Sequence, residues 1–98
     1  MKDIINQLNK AFDHRTRLGI MSLLMVNPEL DFNALKEQLE LTDGNLATHI
    51  TALEKQEYIS VTKQFVGKKT QTLYRATDLG RTAFQEHLAL LEKLLSYK

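Results

Sequence analysis

The sequence predicts a mainly α fold carrying one small β-hairpin, an α+β class, in a single domain of 98 residues. Through most of the chain, apolar residues recur at spacings of three and four, which gathers them on one face of successive helices. Between Tyr58 and Ala76 that period gives way to alternation. There Ile59 and Val61 alternate with Ser60 and Thr62, the mark of a strand with one buried face. Finally, the helical stretch just before this segment, Leu41 to Ile59, has a small, polar outer face and few carboxylates.

The elements follow in chain order. Ile4, Ile5, Leu8 and Phe12 form a helical stripe across residues 3–12, which packs either on the body or on a partner subunit. A second helix begins near Asp13. Leu18, Met21, Leu24 and Met25 share one side of it, Ile20 and Leu23 widen that side, and the helix reads as the most buried of the set. Arg15 and Arg17 near its start are placed to reach phosphates, or else to pair on the surface and cap carbonyls. Asn27-Pro28 ends the helix, because the residue before proline avoids the helical region. Leu30-Asp31-Phe32 forms a brief extended segment. Asp31 then caps a short helix, Asn33 to Glu40, with Leu35 and Leu39 inward.

Only Glu40-Leu41-Thr42 separates that helix from the next. Thr42 offers its hydroxyl as the cap, and Asp43 sets a negative charge at the positive end of the helix dipole. Leu46, Ile50 and Leu53 face inward. Gly44, Thr48, Thr51, Ala52 and Lys55 lie opposite, flanked by Asn45 and His49. Small hydrogen-bonding groups suit a helix that lies close against another surface. A DNA major groove is one such surface, since it admits a helix and presents donors and acceptors at base edges. Two short helices joined by a tight turn, about 32–56, match the helix-turn-helix pattern. The hairpin over about 59–76 turns at Gly67-Lys68-Lys69-Thr70, where Gly67 supplies a permissive backbone. It completes a winged helix-turn-helix. Tyr74 on the returning strand reads as core. Thr77 caps a last helix over about 77–96, whose stripe of Phe84, Leu88, Leu91 and Leu95 is long for a body this small. A surplus apolar face points to a partner, here a symmetric dimer formed through this helix and the N-terminal one.

Composition narrows the function. Hydrophobic residues are 43% and charged residues 26%, ordinary for a globular domain. The absence of Cys excludes a disulfide framework and thiolate metal sites, and fits a cytoplasmic protein. The N-terminus lacks the apolar run of a signal peptide, and no stretch has the roughly 20 apolar residues that span a bilayer. Net charge is only +1, yet residues 58–76 hold Lys63, Lys68, Lys69 and Arg75 and no acid. Local charge governs attraction to phosphate. No paired carboxylates, nucleophile–base set or phosphate loop suggests an enzyme. Gly67-Lys68-Lys69-Thr70 shares the end of a P-loop, but without the earlier glycine and in a hairpin instead of before a helix. No cofactor or metal is indicated, and the sequence names no small-molecule effector.

Several runs resemble a known family, the short winged-helix transcriptional regulators close to the MarR and ArsR groups. They are R-L-G-I-M-S-L-L at 17–24, L-D-F-N-A-L-K at 30–36, L-T-D-G-N-L-A-T-H-I at 41–50 and L-E-K-Q-E-Y-I at 53–59, then F-V-G-K-K-T-Q-T-L-Y at 65–74 and T-D-L-G-R at 77–81. The resemblance covers nearly the whole chain. It implies a cytoplasmic prokaryotic transcription factor that binds a pseudo-palindromic operator as a homodimer, with Thr42 to about Gln56 as recognition helix and the turn around Lys68 as wing. The family usually has Gly where this chain has Glu57, so the end of the recognition helix must either adopt a left-handed conformation without glycine or end differently.

The residues expected to meet double-stranded DNA are Thr42, Gly44, Asn45, Thr48, His49, Lys55, Lys63, Lys68 and Lys69. For His49 the alternative is packing at the helix flank, and for the tip lysines it is protection of an edge strand. The expected dimer residues are Ile4, Ile5, Leu8, Leu88, Leu91 and Leu95. The other class of function compatible with the sequence is a winged-helix module for protein–protein contact within a larger complex.

Overall fold

The computed structural model describes residues 1–97. Helix α1 spans Lys2–Gln7, a 3-10 turn covers Lys10–Phe12, and α2 runs Arg15–Val26. Strand β1 is Leu30–Asp31, followed by α3, Phe32–Leu39, and α4, Asp43–Lys55. Strands β2, Ile59–Val66, and β3, Lys69–Ala76, form the hairpin, and α5 is Asp78–Leu95. The sheet is antiparallel in the order β1-β3-β2. The hairpin thus gains a third strand, because Leu30 pairs with Tyr74 and Asp31 with Leu73.

One core holds these pieces together. Ile20, Met21 and Leu24 of α2, Leu35 of α3, and Leu46 and Leu53 of α4 are fully buried. Ile50, Ile59, Tyr74 and Phe84 join them, with Phe12 inserted from the N-terminal side. Phe12 stacks on Tyr58 at 5.5 Å between ring centroids and meets Phe84 edge-on at 5.1 Å. Burying aromatic rings of this size is a large part of what a small core can gain.

The apolar stripe at the N-terminus is not one helix. The chain turns extended at Leu8 (ψ 140°), and Asn9 starts the 3-10 turn by accepting a hydrogen bond from the Ala11 N–H. Asn9 is held there from two sides. Its side-chain amide donates to the Tyr58 hydroxyl at 2.8 Å, and its backbone N–H donates to His87 Nδ1 at 3.1 Å. The inward face of α5 also differs from the expected stripe. Gly80, Phe84 and His87 are buried there, whereas Leu88 is exposed and Leu91 half-buried.

The caps expected from sequence form. Asp31 Oδ1 accepts from the Ala34 N–H at 2.7 Å, Thr42 Oγ1 from Asn45 at 3.2 Å, and Thr77 Oγ1 from Gly80 at 2.9 Å. The helix after Asp31 starts one residue earlier than expected, at Phe32. The hairpin turn is tighter than expected, since Val66 pairs with Lys69 and only Gly67 and Lys68 lie between the strands. Gly67 has φ 65°, which a residue without Cβ adopts freely.

Both helices of the helix-turn-helix end on a left-handed glutamate. At the end of α3, Glu40 has φ 51°, its N–H donates to the Glu37 carbonyl, and the Leu41 N–H donates to that of Lys36. At the end of α4, Glu57 has φ 61°, its N–H donates to Glu54 and the Tyr58 N–H to Leu53. This is the bond pattern that usually places glycine at the left-handed position. Of the two ways that α4 could end without glycine, the chain therefore takes the left-handed one.

Candidate nucleic-acid interface

Helix α4 presents the outer face that its sequence describes. Thr42, Gly44, Asn45, Ala47, Thr48, Thr51 and Lys55 are exposed, opposite the buried Leu46, Ile50 and Leu53. Gly44 has open space around it, with no atom within 4 Å of where a Cβ would stand. The hydroxyl of Thr48 donates to the Gly44 carbonyl at 2.9 Å, and that of Thr51 to the Ala47 carbonyl at 2.9 Å. With the hydroxyl proton used this way, each oxygen is left with acceptor capacity only. The acids of this helix are displaced or occupied. Asp43 is paired with Lys36 of α3 at 2.8 Å, and Glu54 is half-buried on the other side.

His49 sits differently from its neighbours on the face. It is half-buried, its ring lies 4.1 Å from that of His14 between centroids, and its Nδ1 is 3.2 Å from an Arg17 nitrogen. Burial, then the neighbouring His14 and Arg17, hold its pKa below the usual histidine value, so the neutral ring is the favoured form. Arg17 also donates to the Ala11 carbonyl. It braces the 3-10 turn against α4, which is the carbonyl-capping alternative read for it from sequence. Arg15 stays exposed.

In the hairpin, every residue from Ser60 to Thr70 is exposed. Arg75 does not belong to its open charge. Its Nε and Nη2 donate to Glu29 Oε2 at 2.9 and 2.6 Å. Lys63, Lys68 and Lys69 form no ion pair among the described residues. The ribbon is stiffened below its tip by side chains. Gln64 donates to Gln71 Oε1 at 2.8 Å, and Gln71 donates to Asp31 Oδ2 at 2.9 Å. The Ala34 N–H and then Gln71 hold the Asp31 carboxyl below the ordinary carboxylate range.

The sequence reading assigns no role to Phe65 and Val66, yet both stand open at the tip. The signal was readable: two large apolar residues directly before a Gly-Lys turn, where polar residues are the rule.

At the far side of the body, α1 lies along α5. Ile5, Leu88 and Leu95 are exposed, and Ile4, Leu8 and Leu91 are half-buried. His87, by contrast, belongs to the interior. It packs on Phe12 and accepts from Asn9. No group of three or more His, Cys, Asp or Glu residues suited to a metal ion occurs among the described residues. No helix among them is long and apolar enough to cross a membrane.

A tight two-helix unit with a polar outer face, followed by a three-stranded sheet with a lysine-tipped ribbon, defines a winged helix-turn-helix of the DNA-binding class. The winged helix DNA-binding domain family is matched across residues 16–95, and the chain belongs to that family. An uncharacterised protein of Methanocaldococcus jannaschii is 35% identical over 79 residues, 81% of this chain and 86% of its own length. Among solved structures, the transcriptional regulator homologue protein from Pyrococcus horikoshii OT3 superposes with a TM-score of 0.85 at 27% identity, over 97% of this chain and 92% of that one. The YusO protein from Bacillus subtilis superposes with a TM-score of 0.78 at 17% identity, over 97% of this chain and 70% of that one, a likeness of fold. The resemblance to the short winged-helix regulators of the MarR type therefore holds, and the chain carries the winged helix DNA-binding domain of that fold.

Proposed function

We propose that this regulator is sequence-specific and binds a pseudo-palindromic operator as a homodimer, with α4 in the major groove and the wing lysines on the backbone or in the minor groove. The observation that carries this reading is the outer face of α4. It is small and polar, its hydroxyls are set as acceptors, and the carboxylates that would repel phosphate are paired or turned aside. In this reading Asn45 pairs with a base edge, for which adenine offers the matching donor and acceptor. Thr48 and its methyl group read a thymine or a donor group beside it. Gly44 lets the backbone approach, and Thr42, Lys55, Lys63, Lys68 and Lys69 set register on phosphates. His49 acts from behind the face by fixing the flank of α4 to Arg17 and α2. The dimer forms through Ile4, Ile5, Leu8, Leu88, Leu91 and Leu95. Exposure of Leu88 and Leu95 on the outer side of α5 supports this placement.

The test is selection from a random duplex pool, with anisotropy titrations at several salt concentrations. Enrichment of a two-fold motif with a steep salt slope is expected. Asn45→Ala should relax preference at one base position, losing roughly 1–3 kcal/mol there. Lys68→Ala with Lys69→Ala should weaken all sequences alike and reduce the salt slope by roughly one unit per lost contact. No binding at low salt would overturn the reading in favour of a protein-contact module.

A further inference from the structure

The tip of the β2–β3 ribbon carries apolar surface that its own chain leaves uncovered. Phe65 is 79% exposed and Val66 58%. As neighbours on one strand they point to opposite faces of the ribbon, so each side of the tip ends in an apolar contact. Phe65 pairs across the ribbon with Thr70 and Val66 with Lys69, and the turn between the strands is Gly67-Lys68. The surface that fits such a tip must be apolar on two sides and anionic along its rims. The minor groove of a duplex meets both, with sugar walls about 6 Å apart and phosphates along the edges. An apolar protein groove with an acidic rim also meets both demands, but the ribbon belongs to a DNA-binding domain, which favours a duplex.

The ribbon is also held in shape for the purpose. The Gln64–Gln71 bond lies one residue below Phe65 and continues through Gln71 to Asp31, the cap of α3. A side chain on a strand already braced to the helix-turn-helix loses less freedom when it docks.

We infer that Phe65 is an apolar wedge that enters the minor groove beside the half-site and partly unstacks a base step, with Val66 on the opposite sugar wall. The inference rests on the DNA-binding reading above and adds a deformation to it. Wedges of this kind kink a duplex toward the major groove by roughly 20–90°. Pyrimidine–purine steps open most readily, so a preference for such a step under the wing arises without any hydrogen bond to a base.

The experiment uses the full chain and a selected duplex carrying donor and acceptor dyes at its ends and 2-aminopurine at the step under the wing. The wild-type protein should raise energy transfer between the ends and raise 2-aminopurine emission. Phe65→Ala should bind with the same salt slope, because the lysines remain, yet lose both signals. Phe65→Leu should keep them in part. Binding by the wild type with neither signal, or full signals from Phe65→Ala, would overturn the wedge while leaving DNA binding intact. So would a change in the sedimentation of the DNA-free protein on Phe65→Ala, which would make the ring a contact between copies. Failure of the wild type to bind any duplex would instead remove the reading on which the wedge rests.

Discussion

Replacing Gly80 with Ala should unfold this protein more easily, against the usual direction of that change. Within a helix, Gly→Ala ordinarily stabilises by about 1 kcal/mol. At Gly80, in the first turn of α5, the added Cβ would stand 2.0 Å from the Tyr58 carbonyl oxygen, 2.8 Å from its carbon and 2.9 Å from its Cα. All three are backbone atoms and cannot rotate away. The same oxygen accepts the Thr77 N–H at 3.0 Å, so moving it lengthens a bond as well. Overpacking of this kind costs about 1–3 kcal/mol, and a weakened hydrogen bond adds about 1 kcal/mol. After the helix-propensity gain, the net loss is about 1–3 kcal/mol, which in a domain of this size lowers Tm by roughly 4–24 °C. Two sister variants isolate the cause. Gly44→Ala meets no atom within 4 Å and should gain a few tenths to about 1 kcal/mol from propensity alone. Gly19→Ala meets only the end of the Leu39 side chain at 2.8 Å, which can rotate, and should change stability little. Urea unfolding of the three variants, followed by circular dichroism, gives the comparison. If Gly80→Ala proves as stable as Gly44→Ala, the close packing of α5 on Tyr58 is wrong.

Glu57→Gly should stabilise by about 1 kcal/mol, because the left-handed φ of 61° burdens a residue with a Cβ; an unchanged urea midpoint would count against that strain. Stability should also fall with acid. His49 and His87 both have pKa values lowered from 6.5, chiefly by burial, with His14 and Arg17 adding to the effect at His49 and Asp13 opposing it at His87. The unfolded chain therefore takes up these protons more readily, and the stability they contribute is complete above 6.5 and lost as the pH falls below it. The lowered Asp31 carboxyl contributes stability that goes in turn as the pH drops below the carboxylate range. Replacing both histidines with Gln should flatten the slope between pH 7.5 and 5.5, and a rise in stability over that fall in pH would refute the assignment. Leu91→Glu should shift sedimentation from dimer to monomer while circular dichroism stays folded; a folded dimer would remove the C-terminal helix from the interface.

Local signals made most of the fold legible. Leu46, Ile50 and Leu53 repeat at helical spacing behind a capping Thr42, and the structure buries all three. The hairpin lies where the alternation and the glycine at 67 put it, to within a residue or two of its turn, but the buried face expected of its first strand does not form: only Ile59 is buried and Val61 is exposed, because the ribbon runs clear of the body. The extended pair Leu30-Asp31 is visible too, but its register on β3 joins residues more than 40 apart in sequence and has no local trace. The N-terminal stripe misleads for the same reason. Ile4, Ile5, Leu8 and Phe12 have helical spacing, yet the chain bends where Asn9 finds Tyr58 and His87, partners 49 and 78 residues away. Those bonds also explain why His87, instead of Leu88, faces the interior. In the candidate interface, residue type and spacing pick out the α4 face and the wing lysines. They do not reveal that Arg75 is held by Glu29, or that His49 leans on Arg17, because both depend on side chains brought together by the finished fold.

The contact at Tyr58 has a mechanical consequence. Its carbonyl receives the Thr77 N–H and lies against Gly80, while the Thr77 hydroxyl donates to the Glu57 carbonyl at 2.7 Å and also caps α5. The last turn of α4 and the first turn of α5 are thus bolted at a single joint, with the hairpin leaving and returning through it. A helix 18 residues long, about 27 Å from end to end, is fixed by its first turn to the end of α4. A tilt of α5 about that joint would bear directly on the end of α4, because only Gln56, Glu57 and Tyr58 lie between α4 and β2.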